Sequence, residues 1–343
     1  MSRRGSDTVT EARRVPTDPP PPSLASSVAR ELGEGRLERG PPNGRPQKVL
    51  RMDVTGAAPN LLERLLVGSY ITGQDQVLIT ARGGLTTTQR KEVHRVVDRT
   101  LGMTVVGDTP DAVEVQNFID PGKYALPRLI HRVVRMLSTE LAVCHAALVE
   151  KGPPQFEVFD TIEEEIDRLY LLMVRQLLLS SDSPRIARNI DVESHHYQIG
   201  DRLVAKVLEV TGDLIHDIGT DLEGNLPGLR RLPRPVGRLL VARIDRLQHL
   251  LTDTMDAFGH LSAVDANTTL NVIDEVLPMG IRLGQLITRR TADRKVVGAA
   301  QRIACHLNIC LEMLIIVNEV TINRCVEPET VALTGSRVAM DTH

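Results

Sequence analysis

The segment LVAKVLEVTGDLIHDIG (203–219) carries Glu209, Asp213 and Asp217, one acid every four residues. On a helix this spacing advances only about 40° per step, so the three carboxylates form one strip. Like charges four apart on a helix repel by roughly 0.2–0.5 kcal/mol per pair. Carboxylate oxygens are hard ligands suited to Mg²⁺, Ca²⁺, Mn²⁺ or iron. The strip is therefore either a solvated amphipathic face or a face prepared for a cation. Leu203, Val204, Val207, Leu208, Thr211, Leu214, Ile215 and Ile218 fall on the opposite side, and Arg202 and Lys206 sit among the acids. Mixed acid and base on a polar face is what any surface helix shows.

Two features favour the cation. The preceding helical segment carries Glu163, Glu164, Glu165 and Asp167, and Glu163–Asp167 repeats the four-residue spacing. If the two helices are antiparallel neighbours, the strips converge. Gly212, between the acids, costs about 1 kcal/mol in a helix relative to Ala, so it marks a close approach unless it is filler. The strips do not have the form of a catalytic acid/base pair, which needs carboxylates in divergent environments. A carboxylate-bridged diiron enzyme needs a Glu-x-x-His motif on each of two helices. Only Glu193-Ser194-His195-His196 offers one. His216 falls at the strip's edge and reads as a surface residue, as does the His195-His196 pair at a helix start. No Ser/His/Asp or Cys/His arrangement has a recognisable context.

The elements that must position these acids follow from periodicity. The chain has 343 residues, 42% apolar and 25% charged, with a net charge of −3. That charge gives no broad pull toward nucleic acid or anionic membrane, and 2% aromatics without Trp provide no base-stacking platform. Residues 1–46 hold eight of the twenty prolines and are expected to be a disordered, proline-rich arm. Residues 47–120 read as a small unit in the order β-α-β-α-β-β, of roughly ferredoxin-like size, with Thr86 and Gln89 forming a capping box and Gly83-Gly84 a turn. From 121 onward long helical patterns dominate, three before the break NLPGLRRLPRP and three after it. The expectation is a mainly α chain with two tandem three-helix bundles, 121–226 and 235–326, behind the small α/β domain, and a loose tail at 327–343. Pro278 is expected to kink or interrupt the fifth long helix near Leu277. No uninterrupted apolar run of about 18 residues is seen, so no membrane span is expected. Cys144, Cys305, Cys310 and Cys325 form no CxxC pair and read as buried, reduced thiols of a cytosolic protein.

The segments IEEEIDRLYLLMVRQL (162–177) and DRLVAKVLEVTGDLIHDIG (201–219) resemble the second and third helices of the PhoU family of phosphate-uptake regulators. The family signature, an acid and then Asp four residues later on facing helices, appears as Glu163-x-x-x-Asp167 and Glu209-x-x-x-Asp213. LLVGSYITGQDQVLI (65–79) and LTTTQRKEVHRVVDRTLGMTVV (85–106) look like the α/β segment that precedes the helices in archaeal PhoU-like regulators, so the likeness spans about 47–326. The last helix departs from the pattern: LNICLEMLIIVNEVTINR (307–324) has Asn308 for the expected Glu, Glu312 for Asp and Ile316 for a later acid. Asp274 and Glu275 on the fifth helix are the acids that could supply oxygens there.

The resemblance implies a cytoplasmic regulator rather than an enzyme, peripheral to the membrane through a transporter. It implies divalent or trivalent metal ions (iron, zinc, manganese or magnesium) on Glu163, Asp167, Glu209, Asp213 and Asp217, mainly in the first helical unit. Implied partners are the phosphate ABC transporter ATPase or a phosphate-signalling regulator, and a second copy of the chain in a homodimer. Two alternatives stand beside it. One is a metal-free helical adaptor that keeps the scaffold. The other is a DNA-binding, phosphate-responsive transcription regulator, against which stands the lack of an N-terminal DNA-binding hairpin pattern in residues 1–46.

Overall fold

A computed structural model describes residues 47–150, 152–192, 194–327, 332–334 and 337–339. The arm at 1–46, expected to be disordered, and Glu193 of the Glu-x-x-His motif lie outside the described residues. Strands β1 (Val49–Asp53), β2 (Gln76–Thr80), β3 (Met103–Asp108) and β4 (Ala112–Asn117) form one sheet in the order β1-β2-β4-β3. β1 and β2 are parallel, which requires a crossover; helix α1 (Leu61–Ile71) supplies it. β4 pairs antiparallel with both β2 and β3. Helix α2 (Thr87–Arg99) begins with the expected Thr86/Gln89 capping box. The side chains of β2 alternate between buried and half-buried, the mark of one covered face. Val77, Ile79, Val113 and Val115 on that face share a core with Leu62, Leu66 and Tyr70 of α1 and Val93 and Val96 of α2. Asn60, at positive φ before α1, makes no cap with its own side chain. Buried Glu92 from α2 accepts from the Asn60 and Glu63 amides instead, placing a carboxylate at the positive end of the helix dipole.

The helical part comprises α3 (Leu126–Val149), α4 (Val158–Ser181), α5 (Pro184–Asn189), α6 (His195–Leu229), α7 (Arg234–His260), α8 (Ala263–Arg290) and α9 (Arg294–Cys325). Leu126, Leu129, Ile130, Val133, Val134, Leu137, Leu141 and Cys144 illustrate the buried stripe of α3, at the three- and four-residue spacing that buries one helix face. Helices α3, α4 and α6 pack on one another, as do α7, α8 and α9. Contacts of α6 with α9 and of α3 with α7 join the two sets, and one apolar core runs through both. The coarse expectation, a mainly helical chain behind a small α/β unit, is met.

Several expectations are corrected. NLPGLRRLPRP does not break the chain at its first proline: α6 runs to Leu229 with Pro227 inside it. Likewise α8 is one helix through Pro278, so of the kink or interruption expected near Leu277 the interruption does not occur. Both prolines lie on exposed faces, where water can satisfy the carbonyl that a proline leaves unpaired. The short helix α5, capped by Ser183, was not foreseen. In the tail read as loose, β5 (Ala332–Thr334) and β6 (Arg337–Ala339) pair antiparallel. Cys305 is exposed; only Cys144, Cys310 and Cys325 are buried. Finally, α9 is long and apolar enough to cross a membrane by length and composition. In this fold it packs against α6, α7 and α8 as a core helix.

The α/β unit is seated on α4. Leu171 of α4 enters the core of the unit. One turn on, the buried Arg175 guanidinium donates to the carbonyls of Tyr70 and Gln74, lies 3.6 Å from the Asp75 carboxylate and stacks 5.1 Å from the Tyr70 ring centroid. These contacts bring the C-terminal turn of α2 beside the acids of α4.

Candidate metal centre

Close approach of α4 and α6 creates the site. A Cβ on Gly212 would lie 3.2 Å from Ile166 and 3.6 Å from Leu137, so α6 presses on α4 and α3 at this level. Two turns on, a Cβ on Gly219 would meet the Phe159 ring at 2.6 Å. The glycine between the acids thus marks a tight crossing, as its cost in a helix suggested.

At that crossing one carboxylate oxygen each of Glu163, Asp167 and Asp213 lies within 4.8 Å of the others. Three of the five expected ligands therefore converge. Glu209 flanks them, buried and ion-paired with Lys206. Asp217 is exposed and outside the cluster. The reason is the 40° drift per four residues. It turns Glu209 toward the core, where the sequence reading had the acids outside it, and Asp217 away. The same drift leaves Leu203, assigned to the apolar side, 44% exposed.

The acids raise one another's pKa. Partial burial pushes Asp213 up to about 6, helped by the charges of Glu209, Asp167 and Glu163 and opposed by Lys206. Glu163 is also held up, first by burial and then by Asp167, against the pull of His216 and Arg99. Among the described residues neither Glu163 nor Asp213 has a hydrogen bond or salt bridge. Their neighbours do: Glu164 pairs with Arg168 at 3.3 Å and Glu165 with Arg132 at 2.7 Å. His216 is committed to Asp160, 3.0 Å away, which agrees with its reading as an edge residue. Ser194 caps α6, and His195 and His196 sit on its surface start.

Two residues escaped the sequence reading. Arg99, at the end of α2, reaches Asp167 at 3.0 Å and Glu63 at 3.5 Å. With Asp98, Arg168, Glu163, Glu164 and Asp167 it lines an open cleft of about 480 Å³. Only the docking of the α/β unit brings it there, so no local signal announces it. Glu140 on α3 is fully buried, and neither carboxylate oxygen has a partner. Burial, with the charge of Glu163 added, pushes its pKa up to about 8. Here a signal existed: Glu140 falls between Leu137 and Leu141 on the apolar stripe, where a lone acid is out of place.

The crossing of α8 and α9 is built differently. Gly280 of α8 faces Asn308 of α9 so closely that a Cβ would lie 2.1 Å from the Asn308 Oδ1. The buried guanidinium of Arg243 from α7 donates to that oxygen and, at 3.1 Å, to the Val276 carbonyl. Glu312, Asp274 and Glu275 are exposed. The protein's own cation thus fills the space between α7, α8 and α9.

The donor set of the first half is all oxygen, with no thiolate or imidazole among the converging atoms. It suits Mg²⁺, Mn²⁺ or iron better than zinc, which favours Cys and His. Oxygens up to 4.8 Å apart can share an ion at metal–oxygen distances of about 2.0–2.6 Å. The unpartnered carboxylates fit such an ion. No family model, no curated protein and no solved structure matches this chain.

Proposed function

We propose that this chain is a metal-responsive regulator of PhoU type, built from two like three-helix units that share a core behind an α/β unit. The observation that carries the proposal is the convergence of the acid strips of α4 and α6 on one point. The order and spacing of those strips are the ones through which the sequence resembles the family. Glu163, Asp167 and Asp213 would hold the ion, with Glu209 beside them; Asp217 has no part in it. Bound metal supplies positive charge where the acids otherwise repel, and so tightens the α4–α6 crossing. In this reading the protein works in the cytoplasm, as a homodimer and without catalysis. It restrains phosphate uptake by contacting the transporter ATPase or a signalling regulator. Metal would bias which surface is offered to that partner by its differential affinity for two arrangements.

A second reading, a metal-free adaptor, is favoured by the cations already present: Arg99 on Asp167, Lys206 on Glu209 and Arg243 in the second half. Affinity capture from phosphate-replete and phosphate-starved cells, with and without a chelator, separates the two. A regulator of the first kind recovers transporter or signalling subunits in one phosphate condition, and Asp167→Asn with Asp213→Asn abolishes the difference. Capture indifferent to phosphate, chelator and these substitutions would leave the adaptor.

A further inference from the structure

We propose that Glu140 is an inner ligand of the same cation site, so that three helices, α3, α4 and α6, hold the ion. This rests on the reading of the acid cluster as a metal site and adds a residue which the acid strips do not contain.

Two contacts fix its level in the bundle. Gly212 of α6 approaches both Leu137 of α3 and Ile166 of α4. Glu140 lies three residues beyond Leu137, and Glu163 lies three residues before Ile166. If α3 and α4 run antiparallel, as successive helices joined by a short link do, both steps lead the same way along the bundle. Asp213 is the residue after Gly212 on α6. Glu140 therefore sits on the core side of the cluster, at its height, outside the group of oxygens that lie within 4.8 Å of one another, and Glu163 is the acid whose charge bears on it.

The surroundings of Glu140 call for a cation. It is wholly enclosed, and neither oxygen meets a donor. Cys144, one turn on, is a buried thiol that burial holds in its protonated form. An ionised carboxylate left like this is among the costliest groups a core can contain. A proton would remove the charge but leave both oxygens without a partner, whereas a cation would be coordinated by them. An ion between Glu140 and Glu163 would satisfy both side chains. It would also draw the metal inward from the exposed Asp213, out of reach of competing water.

The test is Mn²⁺ titration of the full chain, comparing wild type with Glu140→Gln, Glu140→Asp and Asp213→Asn, alongside melting of each protein in a chelator. Loss of a ligand weakens binding at least about tenfold. The expected result is that loss for Glu140→Gln, smaller for Glu140→Asp, with metal-free Glu140→Gln melting no lower than wild type. A purely structural role would not give this combination. If Glu140→Gln binds Mn²⁺ like wild type while Asp213→Asn loses it, Glu140 is no ligand, although the acid site stands. If wild type itself takes up no Mn²⁺, the metal reading falls and this inference with it.

Discussion

The acids at the α3–α4–α6 crossing differ by what surrounds each one. Glu164 and Glu165 have arginine partners and Asp167 has Arg99, whereas among the described residues Asp213 and Glu140 have no such partner. Glu140 should therefore govern the pH response of the metal-free protein. Its folded pKa is raised from 4.5 to about 8, so the folded state holds its proton more tightly than the unfolded chain. The associated stability is present below the unfolded value and is lost as pH rises through the folded one. In chelator, Glu140→Gln is expected to gain stability over wild type as pH goes from about 5 to about 9, read from urea midpoints. A constant difference across that range would contradict the burial of an uncompensated acid. The other buried charge on the first helix of a trio, Arg243, has the opposite sign and has partners. Arg243→Met removes its bonds to Val276 and Asn308 and should cost about 1–3 kcal/mol in denaturant unfolding. It should leave Mn²⁺ affinity unchanged, because the site lies in the other half. Glu209, Asp213 and Asp217 were legible as a strip from spacing alone. Which of them points to the neighbouring helix was not, because one strip spans outcomes from buried to exposed and the crossing angle decides among them.

Long helices, strands and the capping box followed from local periodicity and propensity, which act within a few residues and so survive without knowledge of the fold. That α6 runs through Pro227 and α8 is uninterrupted at Pro278 has the reverse cause. The hydrogen bond a proline removes costs less where water reaches the freed carbonyl, and exposure is a tertiary property. The seating of the α/β unit was also out of reach. It depends on Arg175 finding the Tyr70 and Gln74 carbonyls about a hundred residues away in the chain. That contact yields a prediction at the level of whole elements. Arg175→Met leaves buried Asp75 beside a neutral side chain and strips two carbonyls of a donor. Removing one member of a buried pair costs about 3–5 kcal/mol. Hydrogen exchange should then quicken in α1 and β2 while α6 and α9 stay protected. Equal loss of protection in α9 would mean that the α/β unit and the bundle unfold as one.

Across the whole molecule, α6 and α9 form the spine that joins the two helical sets. Their ends are tied by Asp201 to Arg324, a buried pair at 2.5 Å with the guanidinium packed between the Tyr197 and Phe258 rings, and further along by Asp221 to Arg302. The two sets of helices are filled differently: clustered carboxylates, of which Asp167 and Glu209 are paired with Arg99 and Lys206, in one, and a buried guanidinium in the other. The sequence signalled the imbalance through Asn308 and Glu312 but gave no hint that Arg243 completes the second half. The central claim, one metal centre confined to the first half, is tested most directly by titrating the full chain with Mn²⁺ as wild type, Asp213→Asn and Glu312→Gln. The account predicts binding by wild type, a loss of at least about tenfold in Asp213→Asn and no change in Glu312→Gln. No binding by wild type, or an equal loss in Glu312→Gln, would contradict it.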